Sequence, residues 1–334
     1  MRSRGYILAM FLLTPVLQSC QCNANDDPAV HLYLSDTEEK LYAKLQETVA
    51  SSEARFVQSI MFDHIQLTDR VASMLPKLSG LQVLEIGGGG GSAETFVEKG
   101  AYQHLAECSS LRSLKLIEYV EQPYLDGVET PITFVEKMSA LDNLELDLPV
   151  NEEGMASIAR ISKLKSILFR KESTDTSGQA WYNLVHKESS QELVMDGFQE
   201  DLSIKNVFKD PSNISIKQLS LLDTYQRRKW SSEDVDAIAA IKCLESLQVG
   251  TIEASDIALL SPLKCLKELD VRAKGSVSQL GVVRSSQSLQ KLTLVCDSFD
   301  AHKDLVGHPS LSEVEINGRQ WIRSETGEFN VAEE

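Results

Sequence analysis

The sequence predicts an α/β solenoid with a parallel β-sheet on its concave face and short helices or turns on its convex face. Three observations predict it. One six-residue motif recurs along most of the chain, every copy ends in strand-like alternation, and the residues before each copy change to helical spacing. The motif is apolar-x-x-apolar-x-apolar. It reads Val57-Ile60-Phe62, Leu81-Leu84-Ile86, Leu111-Leu114-Leu116, Leu141-Leu144-Leu146 and Leu164-Ile167-Phe169 in the first half. In the second half it reads Ile216-Leu219-Leu221, Leu244-Leu247-Val249, Leu266-Leu269-Val271, Leu289-Leu292-Leu294 and Leu311-Val314-Ile316. A degenerate eleventh copy holds Leu193 and Met195 but starts on Ser190.

The last three residues of each copy, such as Leu-Glu-Ile or Leu-Asp-Val, alternate with the period of a strand that buries one face. Val71, Leu75 and Leu78 precede one copy, and Ile257, Leu260 and Leu263 another, at the spacing of a helical stripe. One strand and one helical turn cannot bury their own apolar faces. Stacked copies can, because each strand gains parallel neighbours and the faces join into one core. Repeats built from helix pairs need about 40 residues and helical spacing throughout. The interval here runs only from 22, between Leu244 and Leu266, to 30, between Leu81 and Leu111.

This pattern over residues 55–318 resembles the leucine-rich repeat, a horseshoe whose units run at about 20–29 residues. The copy ending Asp256–Val271, with its Ser261-Pro262-Leu263 turn, is similar to the bacterial internalin-like type. The family's Asn beyond the strand is absent: Leu116 is followed by Ile117-Glu118-Tyr119, and Val271 by Arg272-Ala273-Lys274. Short helices or turns are expected to satisfy the loop backbone instead.

The ends read differently. Arg2 and Arg4 precede the apolar run Tyr6–Leu17, then Gln18, Ser19 and Cys20. This is the layout of a secretory signal over residues 1–19, and the run is shorter than the roughly 20 residues of a membrane span. Leu17-Gln18-Ser19-Cys20 resembles the bacterial lipobox, with Gln18 where a small residue is usual. The resemblance implies export, lipidation of Cys20 and anchoring to a bacterial membrane, and Gln21 in place of Asp favours the outer one. Plain secretion with cleavage after Ala24 is the other reading. Residues 20–34 then form a lipidated tether. Residues 35–54 form a helical cap that Ser35-Asp36-Thr37-Glu38 opens as a capping box. Residues 319–334 form a C-terminal cap, with Trp321 and Ile322 folded over the last repeat, and a frayed acidic tail from Glu325.

Signatures of catalysis are absent from the sequence. Gly87–Gly91 follows a strand, but Ser92-Ala93-Glu94 replaces the Lys and hydroxyl residue of a phosphate loop. The six histidines show no ligand spacing, and no cofactor or metal is expected. The chain reads as a binding protein and not an enzyme, or else as a structural envelope component without a dedicated ligand. A formal charge of −16 opposes nucleic acid, and a protein partner is expected. Outward strand positions carry Asp63, Glu85, Glu145, Asp147, Glu192, Asp196, Glu268, Asp270, Glu313 and Glu315 against Lys115, Arg170, Arg272 and Lys291. Aromatics gather instead in the irregular segments, where Tyr225, Arg227, Arg228 and Trp230 form a basic–aromatic candidate contact. Cys243 and Cys265 each precede the first Leu of consecutive copies. They are either a disulfide or two small residues in a ladder.

Overall fold

The computed structural model describes residues 30–34, 37–63, 65–87, 96–117, 132–170, 176–196, 202–222, 230–324 and 327–332. All eleven motif copies form strands, and the strands follow one another across a single sheet in chain order. They are β2 (Val57–Phe62), β3 (Val83–Ile86), β4 (Ser113–Ile117), β5 (Asn143–Asp147), β6 (Ser166–Phe169) and β7 (Glu192–Asp196). The series continues with β8 (Gln218–Leu222), β9 (Ser246–Glu253), β10 (Glu268–Lys274), β11 (Lys291–Val295) and β12 (Glu313–Ile316). The degenerate copy is therefore a true repeat. Its Ser190 is 1% exposed, and its Oγ has no hydrogen-bond partner where the other copies bury an aliphatic group.

The register is set by the motif. Leu84, Leu114, Leu144, Ile167, Leu193, Leu219, Leu247, Leu269, Leu292 and Val314 pair in succession across the sheet. None of the ten is more than 4% exposed, so one aliphatic row runs unbroken through the solenoid. A slip of one residue would turn every such side chain to solvent. Just before the strands, one carbonyl per repeat accepts two N–H groups from the next. Gln82 accepts from Arg112 and Ser113 at 2.8 and 2.9 Å, Arg112 from Asp142 and Asn143 at 2.8 and 2.9 Å, and the series ends with Gln290 accepting from Ser312 and Glu313.

The turn before each strand carries a recurring side-chain donor. The residue preceding position one is often Ser or Cys, and its side chain donates to a carbonyl of the preceding repeat. Ser110 Oγ donates to Leu81 O at 2.7 Å, Ser189 Oγ to Leu164 O at 2.8 Å, and Ser288 Oγ to Leu266 O at 2.9 Å. Gly87 marks a closer approach. Its φ is 86°, and a Cβ there would stand 2.1 Å from Ile117 O, so only glycine fits.

The convex helices begin where the sequence supplies caps. Thr68, Asn151, Ser177, Ser203 and Ser231 each accept from a backbone N–H three residues on. Acids then tie one convex segment to the next. Glu98 accepts from Asp69 N at 2.7 Å, Glu152 from Ser177 N at 2.7 Å, Asp234 from Lys205 N at 3.3 Å and Asp304 from Leu280 N at 2.6 Å.

Both ends differ from the sequence expectation. Val30–Leu34, assigned to the tether, is a strand, β1, parallel to β2 with Leu34 opposite Phe62. The cap helix α1 spans Glu38–Ala50 and buries Leu41 and Leu45. Its N-cap is Thr37, without a side-chain cap bond. Ser35, Asp36, and the signal and lipidation residues 1–20 lie outside the described residues. At the other end the chain reverses. Asn317 and Gly318 take φ of 53° and 77°, and β13 (Arg319–Arg323) pairs antiparallel with β12. That is the two-residue hairpin geometry an Asn-Gly pair favours. The segment read as a frayed acidic tail contains β14 (Phe329–Val331), antiparallel to β13, with Phe329 only 7% exposed.

Candidate functional site

The concave face of the sheet is the broadest surface the repeats hold in fixed order. Its central row, read by strand pairing from β1 to β13, is Tyr33, Met61, Glu85, Lys115, Glu145, Leu168, Val194, Ser220, Gln248, Asp270, Thr293, Glu315 and Gln320. Three zones follow from that order.

The first zone holds both of its bases in ion pairs. Tyr33 donates its hydroxyl to Asp63. Lys115 Nζ lies 2.5 Å from Glu85 and 3.9 Å from Glu145, and Arg170 Nε donates to Glu145 at 2.6 Å. Such partly exposed pairs stabilise by at most about 1 kcal/mol each. Their larger effect is to tie up both bases, Lys115 and Arg170, which leaves the zone an acidic surplus.

The middle zone is aliphatic. Leu168 and Val194 face each other across β6 and β7, both half-buried, and Leu222 stands nearby at the end of β8. Glu145 and Arg170 border this patch, as does Glu192, which accepts from Ser166 Oγ at 2.6 Å. Counting charges and aromatics along the sequence passes over these residues. The signal was an apolar residue at an outward position, Leu168 between Ile167 and Phe169 and Val194 between Leu193 and Met195.

The third zone is polar and acidic. Ser220 Oγ donates to Gln248, and Gln248 Nε2 donates to Asp270, both at 2.8 Å. Burial pushes the Asp270 carboxyl up, the bond from Gln248 opposes that, and the charge of Glu315 adds to it. Beyond it, β13 walls a groove of about 290 Å³ over Thr293 and Glu315, with Ile322, 60% exposed, on its rim. Lys291 lies 3.6 Å from Glu313 in the same groove.

The other sequence candidates fall elsewhere. Tyr225, Arg227 and Arg228, like Cys20, lie outside the described residues. Trp230 is 8% exposed and belongs to the continuous core. Trp181, in another irregular segment, is likewise buried and donates to Thr176 at 3.1 Å. Cys243 and Cys265 are free thiols, the first half-buried and the second exposed. Among the described residues, no group of three or more His, Cys, Asp or Glu is placed to hold a metal ion. No described helix is long and apolar enough to cross a membrane.

No protein-family model matches the chain, and no curated protein matches it. Among solved structures, an internalin from Listeria monocytogenes is similar over 78% of this chain and 76% of its own, at 15% identity and a TM-score of 0.48. Internalin C2 of the same organism is similar over 54% of this chain and 75% of its own, at 19% identity and a TM-score of 0.41. The Toll–Spatzle complex of Drosophila contains a chain similar over 85% of this one and 37% of its own, at 14% identity and a TM-score of 0.49. What makes this chain a leucine-rich-repeat solenoid is its own register, twelve parallel strands from β1 to β12 with one aliphatic row beneath them.

Proposed function

We propose that the chain is a non-enzymatic protein-binding module whose partner lies along the concave face, centred on Leu168 and Val194. The observation that carries this reading is the directly paired aliphatic residues at the middle of a mostly polar and charged sheet surface. Interfaces place energy in an apolar centre and use a polar rim to exclude water. The rim here favours a basic partner. Lys115, Arg170 and Lys291 are each paired with an acid of the same face, so the surplus charge offered to a partner is negative. Tyr225, Arg227 and Arg228 are proposed as a secondary contact. Trp230, being core, is left out of it.

The test is a photo-crosslinking residue at position 168, with a control at the convex, exposed Arg160. A partner captured from 168 and not from 160 is expected. The double variant Leu168→Glu, Val194→Glu should then bind that partner at least about tenfold more weakly, the equivalent of roughly 1.4 kcal/mol. Its thermal midpoint should fall modestly, since like charges then stand opposite each other on paired strands, so affinity is compared at a temperature where both proteins are folded. Equal capture from both positions, or undiminished affinity, would overturn the reading.

We also propose that Cys20 anchors the mature chain to a bacterial membrane, on the support of the Arg2–Cys20 sequence. Cys20→Ala is expected to move the protein from the membrane fraction to the soluble one. A wild-type protein already soluble without detergent rejects the anchor.

A further inference from the structure

Cys243 and Cys265 occupy one turn position in consecutive repeats. Both turns carry Lys-Cys-Leu, at 242–244 and 264–266, in the same local conformation. The strands that follow are in register, Ser246 opposite Glu268. Glu245 O accepts from Lys267 N at 2.6 Å and Glu268 N at 3.1 Å, which carries the register back to within two residues of the cysteines. Equivalent positions on adjacent parallel strands stand about 4.8 Å apart. A disulfide needs Cα atoms about 4.4–6.8 Å apart.

The neighbouring turns show where a side chain at this position points. Ser288 Oγ donates to Lys264 O at 3.0 Å and Leu266 O at 2.9 Å, the two carbonyls that flank Cys265. Cys243 Sγ does the same two repeats earlier, to Ile214 O at 3.1 Å and Ile216 O at 3.3 Å. By the same offset, the backbone one repeat before the exposed Cys265 is the one that carries Cys243. Burial pushes the Cys243 thiol up, and the nearby Cys265 adds to that. A turn of Cys243 about its Cα–Cβ bond, away from two weak S–H contacts, is the movement a bond to Cys265 requires.

We propose that Cys243 and Cys265 form a disulfide between the eighth and ninth repeats by exchange with a small-molecule disulfide. The exposed Cys265 thiolate attacks one sulfur of the reagent, whose S–S bond breaks and releases one thiolate. Cys243, deprotonated, then attacks Cys265 Sγ and the second thiolate leaves. The two cysteine protons end on the two released thiols. The cysteines are oxidised by two electrons, and the reagent is reduced to two thiols. Of the other described cysteines, Cys108 and Cys296 are buried, so the pair at 243 and 265 holds the accessible entry point.

The reduced full chain is incubated with oxidised glutathione, residual thiols are blocked, and peptides are mapped by mass spectrometry without reduction. The expected product is the linked Cys243–Cys265 peptide with no glutathione left on Cys265. Cys243→Ser keeps a donor for the carbonyls of Ile214 and Ile216, as the serine turns do. This variant is expected to trap glutathione on Cys265. Glutathione that persists on wild-type Cys265, Cys265 bridged to another residue, or a serine variant that takes up no glutathione each overturns the proposal.

Discussion

Truncating Leu269 to alanine is expected to cost about 2–5 kcal/mol of unfolding free energy, the range for a large-to-small change at a fully packed site. Leu269 is 1% exposed and sits between Leu247 and Leu292 in the unbroken row. The repeats contact only their neighbours, so the cavity cannot be closed by a distant rearrangement. The strand also leaves little freedom to collapse, because its backbone is hydrogen-bonded on both sides. Chemical denaturation of the variant measures the loss. A change below about 1 kcal/mol would mean that the row is not the principal core.

Asp304→Ala is expected to cost about 3 kcal/mol, near the lower end for removal of one partner of a buried ion pair. The Asp304 side chain is 2% exposed, whereas Arg284, its partner at 2.9 Å, is 53% exposed and regains water when released. The larger part of the loss comes from Leu280 N, which donates to Asp304 Oδ2 at 2.6 Å from within the core and would be left without an acceptor. Asp304→Asn keeps an acceptor for that N–H while removing the charge. The asparagine variant should therefore lose clearly less than the alanine one in the same denaturation experiment. Equal losses would place the stabilisation in the Arg284 pair instead.

The strands and their register were readable because Leu-x-Leu alternation fixes both the strand and its buried face. Even the copy starting at Ser190 pairs in register, since Leu193 and Met195 suffice to place it. Two further strands had signals that other assignments covered. Val30, Leu32 and Leu34 alternate with His31 and Tyr33, yet they precede the first full motif and were read as tether. Asn317-Gly318 is a hairpin dipeptide in plain view. The chain reversal it demands was hidden by the expectation that the last repeat ends the sheet. The convex acids and the turn serines were not readable at all. Each acts on a backbone group more than 20 residues away, and such a partner is defined only once the register exists. Within the candidate site, the charges were legible one by one. Their pairing around Glu145, and the aliphatic gap at Leu168 and Val194, depend on which strands are neighbours.

The reversal after β12 also bears on whether copies of this molecule can add end to end. The two ends of an all-parallel solenoid are complementary, and end-to-end addition of such a unit does not close on itself. A sheet that ended on a full repeat strand would offer each molecule as a template for the next, with filaments as the result. Among the described residues, the edge at this end belongs to β14, three residues long and joined to β12 through β13, the strand that the Asn317-Gly318 turn inverts. A short edge is a poor template. With β13 and β14 in place, the edge strand runs parallel to the repeat strands again but displaced by a hairpin that carries no motif. The β1 of a second copy would therefore meet no continuing aliphatic row. Among the described residues the sheet ends on this hairpin, an arrangement that disfavours end-to-end addition.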